Sequence, residues 1–334
     1  MNQDSKSKEL QLEIEGVMQN LHNESYSEWV KNFAINLPEI WNENSAHKLI
    51  PKDKNFHLDS NYAIVIGRGP SLKLHNHLEI LAKSKFSGSI VCTDGALESV
   101  LKSGITPDKF PKFYVVTIDP YKYAKIFYDN PTVKKFGSKI KGIFSTIVNP
   151  EVVSSARDSG MEIHWVHSLF DYNLGEKSFN HISATMVRAK RHTNGLPGIQ
   201  TGGNAGTSAW FVSWRILKCS NVVLIGIDHG WDENDSKEKI LSHGRSEDYL
   251  KNKGKLEIDM SKEKIDNLLQ KIHNPEFDST CIVDPLFQFY RSALLEFISR
   301  SPSWLTTINA TEGGSIFGEK ITCLKFTDCL EKMS

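Results

Sequence analysis

The sequence predicts an α/β fold: a doubly wound, mostly parallel, Rossmann-like sheet with an N-terminal helical extension and a C-terminal helical lid or insertion. Three observations carry this. Short, wholly apolar runs recur along the middle of the chain and read as strands buried on both faces. Amphipathic stretches separate them, as crossover helices would. Several runs end on Gly or Asp, residues suited to a strand-to-helix turn.

Taken in order, Leu10, Leu12, Ile14, Val17, Met18 and Leu21 recur at near-helical spacing. With Trp29, Phe33 and Trp41 they predict a helical layer over residues 1–58. A nucleotide-binding core over 59–231 opens with a strand at Tyr62–Ile66 and a helix from Leu72 to Ser84. Further strands are predicted at Ser89–Thr93, Phe113–Ile118, Lys141–Val148 and Glu162–Val166. Residues 204–218 read as a helix and Asn221–Ile227 as the sixth strand. Residues 232–280 turn charged, lysine-rich and poor in aliphatics, which predicts an inserted lid, partly helical. Residues 281–334 complete the core, with an amphipathic helix over 282–300 and a last strand from Trp304 to Ile308.

Composition narrows the function. Lys plus Arg and Asp plus Glu are both 40, so no net field draws nucleic acid. The basic run Arg188–His192 is short and reads as a solvated loop, so no nucleic-acid partner is expected. Cys92, Cys219, Cys281, Cys323 and Cys329 are odd in number, widely spaced and form no Cys-x-x-Cys, which argues against a disulfide framework or a structural zinc site. The N-terminus lacks an apolar signal segment, and no apolar run reaches the roughly 18 residues of a membrane span. A cytoplasmic protein without a transmembrane segment is the expectation.

Open parallel sheets bind ligands outside the carboxyl ends of their strands. Gly67-Arg68-Gly69-Pro70-Ser71 follows the first strand, and its glycines let backbone amides approach a phosphate at a helix N-terminus. It lacks the spacing of a dinucleotide fingerprint and the lysine of a Walker loop, and an ordinary βα connection would look the same. Thr201-Gly202-Gly203-Asn204 precedes a helix and offers a second amide-rich turn. Asp94, Asp119 and Asp228 each follow a strand and can fix a ribose, hold Mg²⁺ or cap a helix. No Asp-x-Asp occurs at a strand end, so no metal is required; Asp119 is the candidate ligand if Mg²⁺ is used. His229 and Trp231 follow the sixth strand, and Thr311 and Glu312 follow the last. His243 is a candidate general base inside the charged insertion, beside Arg245 as an anion contact, and His229 is the alternative base.

Ile66-Gly-Arg-Gly-Pro-Ser-Leu resembles the G-N-G-P-S-L nucleotide loop of Campylobacter-type bacterial sialyltransferases, and Thr201-Gly-Gly-Asn to Ile225-Gly-Ile-Asp-His229 is similar to their following blocks. The motility-associated factor glycosyltransferases, which decorate flagellin with nonulosonic acids, match further. They share Thr117-Ile-Asp-Pro120, Asn309-Ala-Thr-Glu-Gly-Gly314 and the N-terminal Asn32-Phe-Ala-Ile-Asn36. This resemblance implies a transferase that moves a nonulosonic or sialic-type sugar from a CMP-linked donor to a glycan or protein hydroxyl, with no essential cofactor and room for Mg²⁺ or an oligomer. By order and spacing, the resemblance to the sialyltransferases implies His243 as the base. The G-x-G-P-S-L signature also resembles archaeal 6-hydroxymethylpterin diphosphokinases, which transfer diphosphate from ATP. Their T-D-x-D-G acid pair is a single acid, Asp119, at the matching place here.

Overall fold

The computed structural model describes residues 25–52, 61–169, 179–189, 195–236, 239–240 and 269–333. A helix, α1, spans 25–42 and runs into a short strand, β1 (Asn44–Ser45). The core strands follow as β2 (Tyr62–Ile66), β3 (Ser89–Thr93), β4 (Phe113–Thr117), β5 (Lys141–Ser145) and β6 (Glu162–Leu169). After them come β7 (Gly198–Gln200), β8 (Asn221–Ile225), a hairpin of β9 (Gln270–Asn274) and β10 (Ser279–Val283), then β11 (Thr306–Asn309) and β12 (Ile321–Cys323). The main sheet runs β1-β6-β5-β4-β3-β2-β8-β11-β12, with β7 on β6, and its pairings are parallel.

Helices cover both faces, as the apolar strands require. They are α2 (Ser71–Leu74), α3 (His77–Lys83), α4 (Asp94–Lys102), α5 (Pro131–Phe136), α6 (Pro150–Asp158), α7 (Phe179–Ala189), α8 (Ala205–Arg215), α9 (Pro285–Ser299) and α10 (Phe326–Lys332). Alternation along one strand feeds two cores. Ile64 and Ile66 join Phe33, Leu97, Val153 and Phe326 on one face. Ala63 and Val65 join Trp210, Val212, Leu294 and Ile298 on the other.

The seven expected strands are present; β1, β7 and β12 are short strands the sequence reading did not expect, and two further segments differ. The helix expected over 72–84 breaks at Asn76, whose left-handed φ of 53° separates α2 from α3. Within the charged segment after 231, the described part from 270 onward is the β9–β10 hairpin. Alternation around a Pro275-to-Asp278 turn is only weakly apolar here, which hides it from a hydrophobic pattern. The N-terminal layer is also more than a cover. Asn32 Nδ2 donates to the carbonyls of Pro120 (2.8 Å) and Ile147 (3.1 Å), and Asn36 Nδ2 to those of Thr146 (3.2 Å) and Val148 (2.7 Å). One turn apart on α1, they pin the loops that leave β4 and β5. All five cysteines are free. No helix among the described residues is long and apolar enough to cross a membrane.

Candidate functional site

Strand order reverses at β2. From there the chain winds outward through β3, β4, β5 and β6, and β8 lies on the other side. The crevice between the carboxyl ends of β2 and β8 is the topological switch point.

The turn after β2 is locked to the turn after β8. Gly67 N–H donates to Ile225 O and Gly69 N–H to Gly226 O, each at 2.9 Å. Ser71 donates to the Asp228 carboxylate through its Oγ (2.9 Å to Oδ2) and through its backbone N–H. The glycines serve this close approach. A Cβ on Gly67 would sit 2.2 Å from Gly226 O, and one on Gly69 1.9 Å from Asp228 Oδ2. Burial pushes the Asp228 carboxyl up to about 7, opposed by the Ser71 bonds.

The second glycine turn lies on the same rim. Ideal Cβ atoms on Gly67 and on Gly206, in the first turn of α8, would meet the same atom, Ile227 Cδ1, at 2.5 and 2.7 Å. Several of its polar groups are also engaged. Asn204 N–H donates to Thr201 O, Gly203 N–H to Thr201 Oγ1, and Asn204 Oδ1 caps α8 by accepting from Thr207 N–H at 2.8 Å. Gly202 and Gly203 take left-handed φ of 54° and 80°, and a Cβ on Gly203 would press on Tyr290 Cε1 at 2.7 Å. The turn lies against α9 with Gly203 still exposed.

The remaining expected residues of this half also hold the frame. His229, at φ 42°, stacks on Phe287 (6.2 Å) and tilts against Tyr290 (6.0 Å). Trp231 Nε1 donates to Asp284 Oδ2 (2.7 Å), and Asp284 Oδ1 caps α9 at Phe287 N–H. Thr311 is fully buried, with its hydroxyl within bonding distance of Asn309 Oδ1 and Gly313 O. Glu312 turns away to His77 Nε2 (3.2 Å) and Phe326 N–H (3.1 Å). Their loop props Asp228 from behind: Ser315 N–H donates to Asp228 O, and Gly314, at φ 69°, leaves no room for a side chain there. The Thr311 hydroxyl is thus engaged within its own loop, and Glu312 is engaged through Oε1.

The ends of β3 and β4 are different. Asp94 is buried and starts α4. Its Oδ1 accepts from Gly95 N–H at 2.7 Å, while Oδ2 is buried with no hydrogen-bond partner. Asp119 accepts from Tyr121 N–H (2.8 Å) and from the Tyr123 hydroxyl. The exposed Arg68 lies along Gly95, where a Cβ would meet its Cδ at 3.0 Å, and its guanidinium sits 6.0 Å from the Phe127 ring. It acts on both carboxyls. Burial and then the Asp119 charge push Asp94 up to about 7, against Gly95 N–H and Arg68. Burial raises Asp119 too, opposed by Tyr123, Tyr121 and Arg68. The two acids thus form a pair across neighbouring strands, which a search for Asp-x-Asp along one strand does not find. Tyr121 and Tyr123 were missed as well, and Asn32 and Asn36 entered only through the resemblance. The signal for the tyrosines was two aromatic residues directly after a strand-end Asp-Pro. His243 and Arg245 lie outside the described residues.

No curated protein matches the chain. Its fold is similar to the structure of a MAf glycosyltransferase from Magnetospirillum magneticum AMB-1, with a TM-score of 0.51 and 16% identity, over 80% of this chain. The chain spans 34% of that protein's length. Residues 31–234, from α1 through the turn after β8, match the family model of the 6-hydroxymethylpterin diphosphokinase MptE-like proteins. That match covers the sheet, its switch point and the strand-end acids and takes in well over half of the sequence, and the chain belongs to the MptE-like family.

Proposed function

We propose that this chain is a nucleotide-dependent transferase working at the crevice of Arg68, Asp94, Asp119 and Asp228, and that it moves a nonulosonic-type sugar from a CMP-linked donor to a glycan or protein hydroxyl. The observation that carries the reading is an exposed guanidinium set beside a buried and a half-buried strand-end carboxyl, Asp94 and Asp119, next to the switch point. Departure of CMP leaves an oxocarbenium-like sugar and a phosphate that gains charge. Arg68 is placed to offset that charge through a bidentate contact. The acceptor hydroxyl must lose a proton, and a carboxyl at about 7, as on Asp94, is matched to that task near neutral pH. His243 is the base that the resemblance implies, with Arg245 as a second anion contact, and Asp94 is set beside it as the candidate the burial suggests. His229, held between Phe287 and Tyr290, serves to position the turn.

The test is release of CMP from a CMP-linked nonulosonic acid in the presence of glycan acceptors, with retained nucleotide identified by mass spectrometry. A protein that neither binds nor releases CMP would end this reading.

A second reading is Mg²⁺-dependent diphosphate transfer from ATP to a pterin alcohol, and the family's description, which names a 6-hydroxymethylpterin diphosphokinase, favours it. Among the described residues no cluster of three or more His, Cys, Asp or Glu forms a metal site. Magnesium needs only one or two carboxylates beside phosphate oxygens. Asp94, with its unpartnered Oδ2, and Asp119 fit that demand. When bound there, Mg²⁺ would supply charge neutralisation on the transferred group. Thermal stabilisation by ATP–Mg²⁺ but not CMP would favour this reading over the first, since a ligand stabilises the state it binds.

A further inference from the structure

We propose that Tyr123 is a ligand-binding residue: its exposed ring is a fixed shelf on which a planar heterocycle of the substrate stacks, with Asp94 Oδ2 receiving a donor from the same ligand. This deepens the reading of the site given above and rests on it.

Tyr123 lies on the 3-10 segment Lys122–Phe127 that follows Asp119. It is one of the few large apolar surfaces left open, at 46% exposure. An open aromatic is ordinarily mobile, and this one is held on several sides. Its hydroxyl donates to Asp119 Oδ2. Its ring lies nearly parallel to Tyr121 (6.1 Å between centroids, 20°) and meets Phe127 edge-on (6.5 Å, 87°). Tyr121 is tied in turn through its hydroxyl to Ser25 on α1, and Asn32 holds the carbonyl of Pro120 between them. Burial and the neighbouring Asp119 keep the phenol protonated, so it remains a donor to that carboxylate.

A preorganised ring loses little entropy when a second ring stacks on it. The surroundings specify the ligand further. The Arg68 guanidinium on Phe127 lies on the same side of the site and suits a phosphate attached to the heterocycle. Asp94 Oδ2 is a buried acceptor with no partner in the protein, and leaving such an atom unsatisfied is costly. A ring amine or a ribose hydroxyl supplies the missing donor. Stacking face, cation and vacant acceptor together describe a nucleobase or a pterin bearing phosphate, and exclude a purely aliphatic substrate.

The experiment measures Kd by calorimetry for CMP, for ATP–Mg²⁺ and for 6-hydroxymethylpterin, on the wild type, Tyr123→Leu and Tyr123→Phe, with ring-current shifts of the ligand protons read by NMR. Leucine keeps apolar area and removes the π face; phenylalanine keeps the face and loses the bond to Asp119. The expected result is upfield-shifted ring protons in the wild type and in Tyr123→Phe. In Tyr123→Leu the shift is lost and binding weakens about tenfold to a hundredfold. Which compound shows this separates nucleobase from pterin. If the wild type binds a nucleotide and Tyr123→Leu, with its melting temperature unchanged, binds it equally well, the shelf is overturned and the site reading stands. If Tyr123→Leu fails to fold, Tyr123→Phe decides through the ring-current shift, and its absence overturns the shelf. If the wild type binds none of the three, the site reading itself falls.

Discussion

On the β2–β8 side of the sheet's carboxyl rim, the N–H groups of Gly67, Gly69 and Ser71 find acceptors in Ile225, Gly226 and Asp228. On the β3–β4 side, Asp94 keeps an unpartnered oxygen, Arg68 extends into solvent and Tyr123 shows its ring. The glycine-rich half carries the motifs that draw the eye in a sequence, yet Gly67 and Gly69 bond to the backbone of the neighbouring turn. The half with plain motifs keeps the open valences. A Gly-x-Gly turn at a strand end permits close approach, and the approaching group can be the protein's own neighbouring loop.

The largest effect expected from this contrast is on stability. In Gly67→Ala the new methyl would meet a carbonyl of the backbone, which has no rotamer by which to yield. A loss of about 3 kcal/mol in denaturant unfolding is expected. A loss below about 0.5 kcal/mol, coupled to weaker nucleotide binding, would mean that the turn stands open for ligand after all.

Asp94→Asn should act in the opposite way. Turnover falls about a hundredfold or more if Asp94 is the proton acceptor, while stability holds or rises at pH 8. The sign follows from the raised carboxyl. Its pKa goes from an ordinary value of 3.8 to about 7 in the folded protein, so folding favours the protonated form. Its contribution is complete below about pH 4 and is lost as pH climbs through 7. The wild type should thus lose stability between pH 4 and pH 8, and Asp94→Asn should flatten that decline. Melting curves across this range check it, and an unchanged slope removes Asp94 as its source.

The frame was legible because apolar strands flanked by polar turns leave a strong pattern: Tyr62–Ile66 and Asn221–Ile225 read plainly as buried parallel strands. The hairpin Gln270–Val283 was not, since one face stays partly exposed and its residues alternate weakly. At the site, a sequence names which residues stand at strand ends but not which valences the fold leaves open. Asp94 and Asp228 look alike in sequence. Only the partner separates them: Asp228 holds Ser71, and Asp94 holds Gly95 N–H with one oxygen alone. The Asp94–Asp119 pair depends on β3 and β4 lying side by side, a long-range fact with no local signature.

A smaller effect sharpens the same contrast. Ser71→Ala removes the hydroxyl bond to Asp228 but keeps the backbone one. A cost of about 2 kcal/mol is expected at pH 8, where the carboxylate is charged. The cost should shrink toward pH 5, where protonation at about 7 has already removed the charge. A cost independent of pH would show that the bond does not depend on ionisation.

The smallest effect tests the glycine-rich half most directly. Asn204 caps α8 and its side-chain amide donates to Gly202 O and Thr207 Oγ1. If that half is closed, Asn204→Ala costs about 1 kcal/mol of stability, the ordinary worth of a cap. Nucleotide affinity, measured well below the melting transition, then stays within about twofold of wild type, as expected for a site with no shared partners. A tenfold weaker Kd at unchanged fold would instead give the second turn back its reading as a phosphate cradle. The two glycine turns would then work as one site, because Gly67 and Gly206 already crowd the same Ile227 side chain.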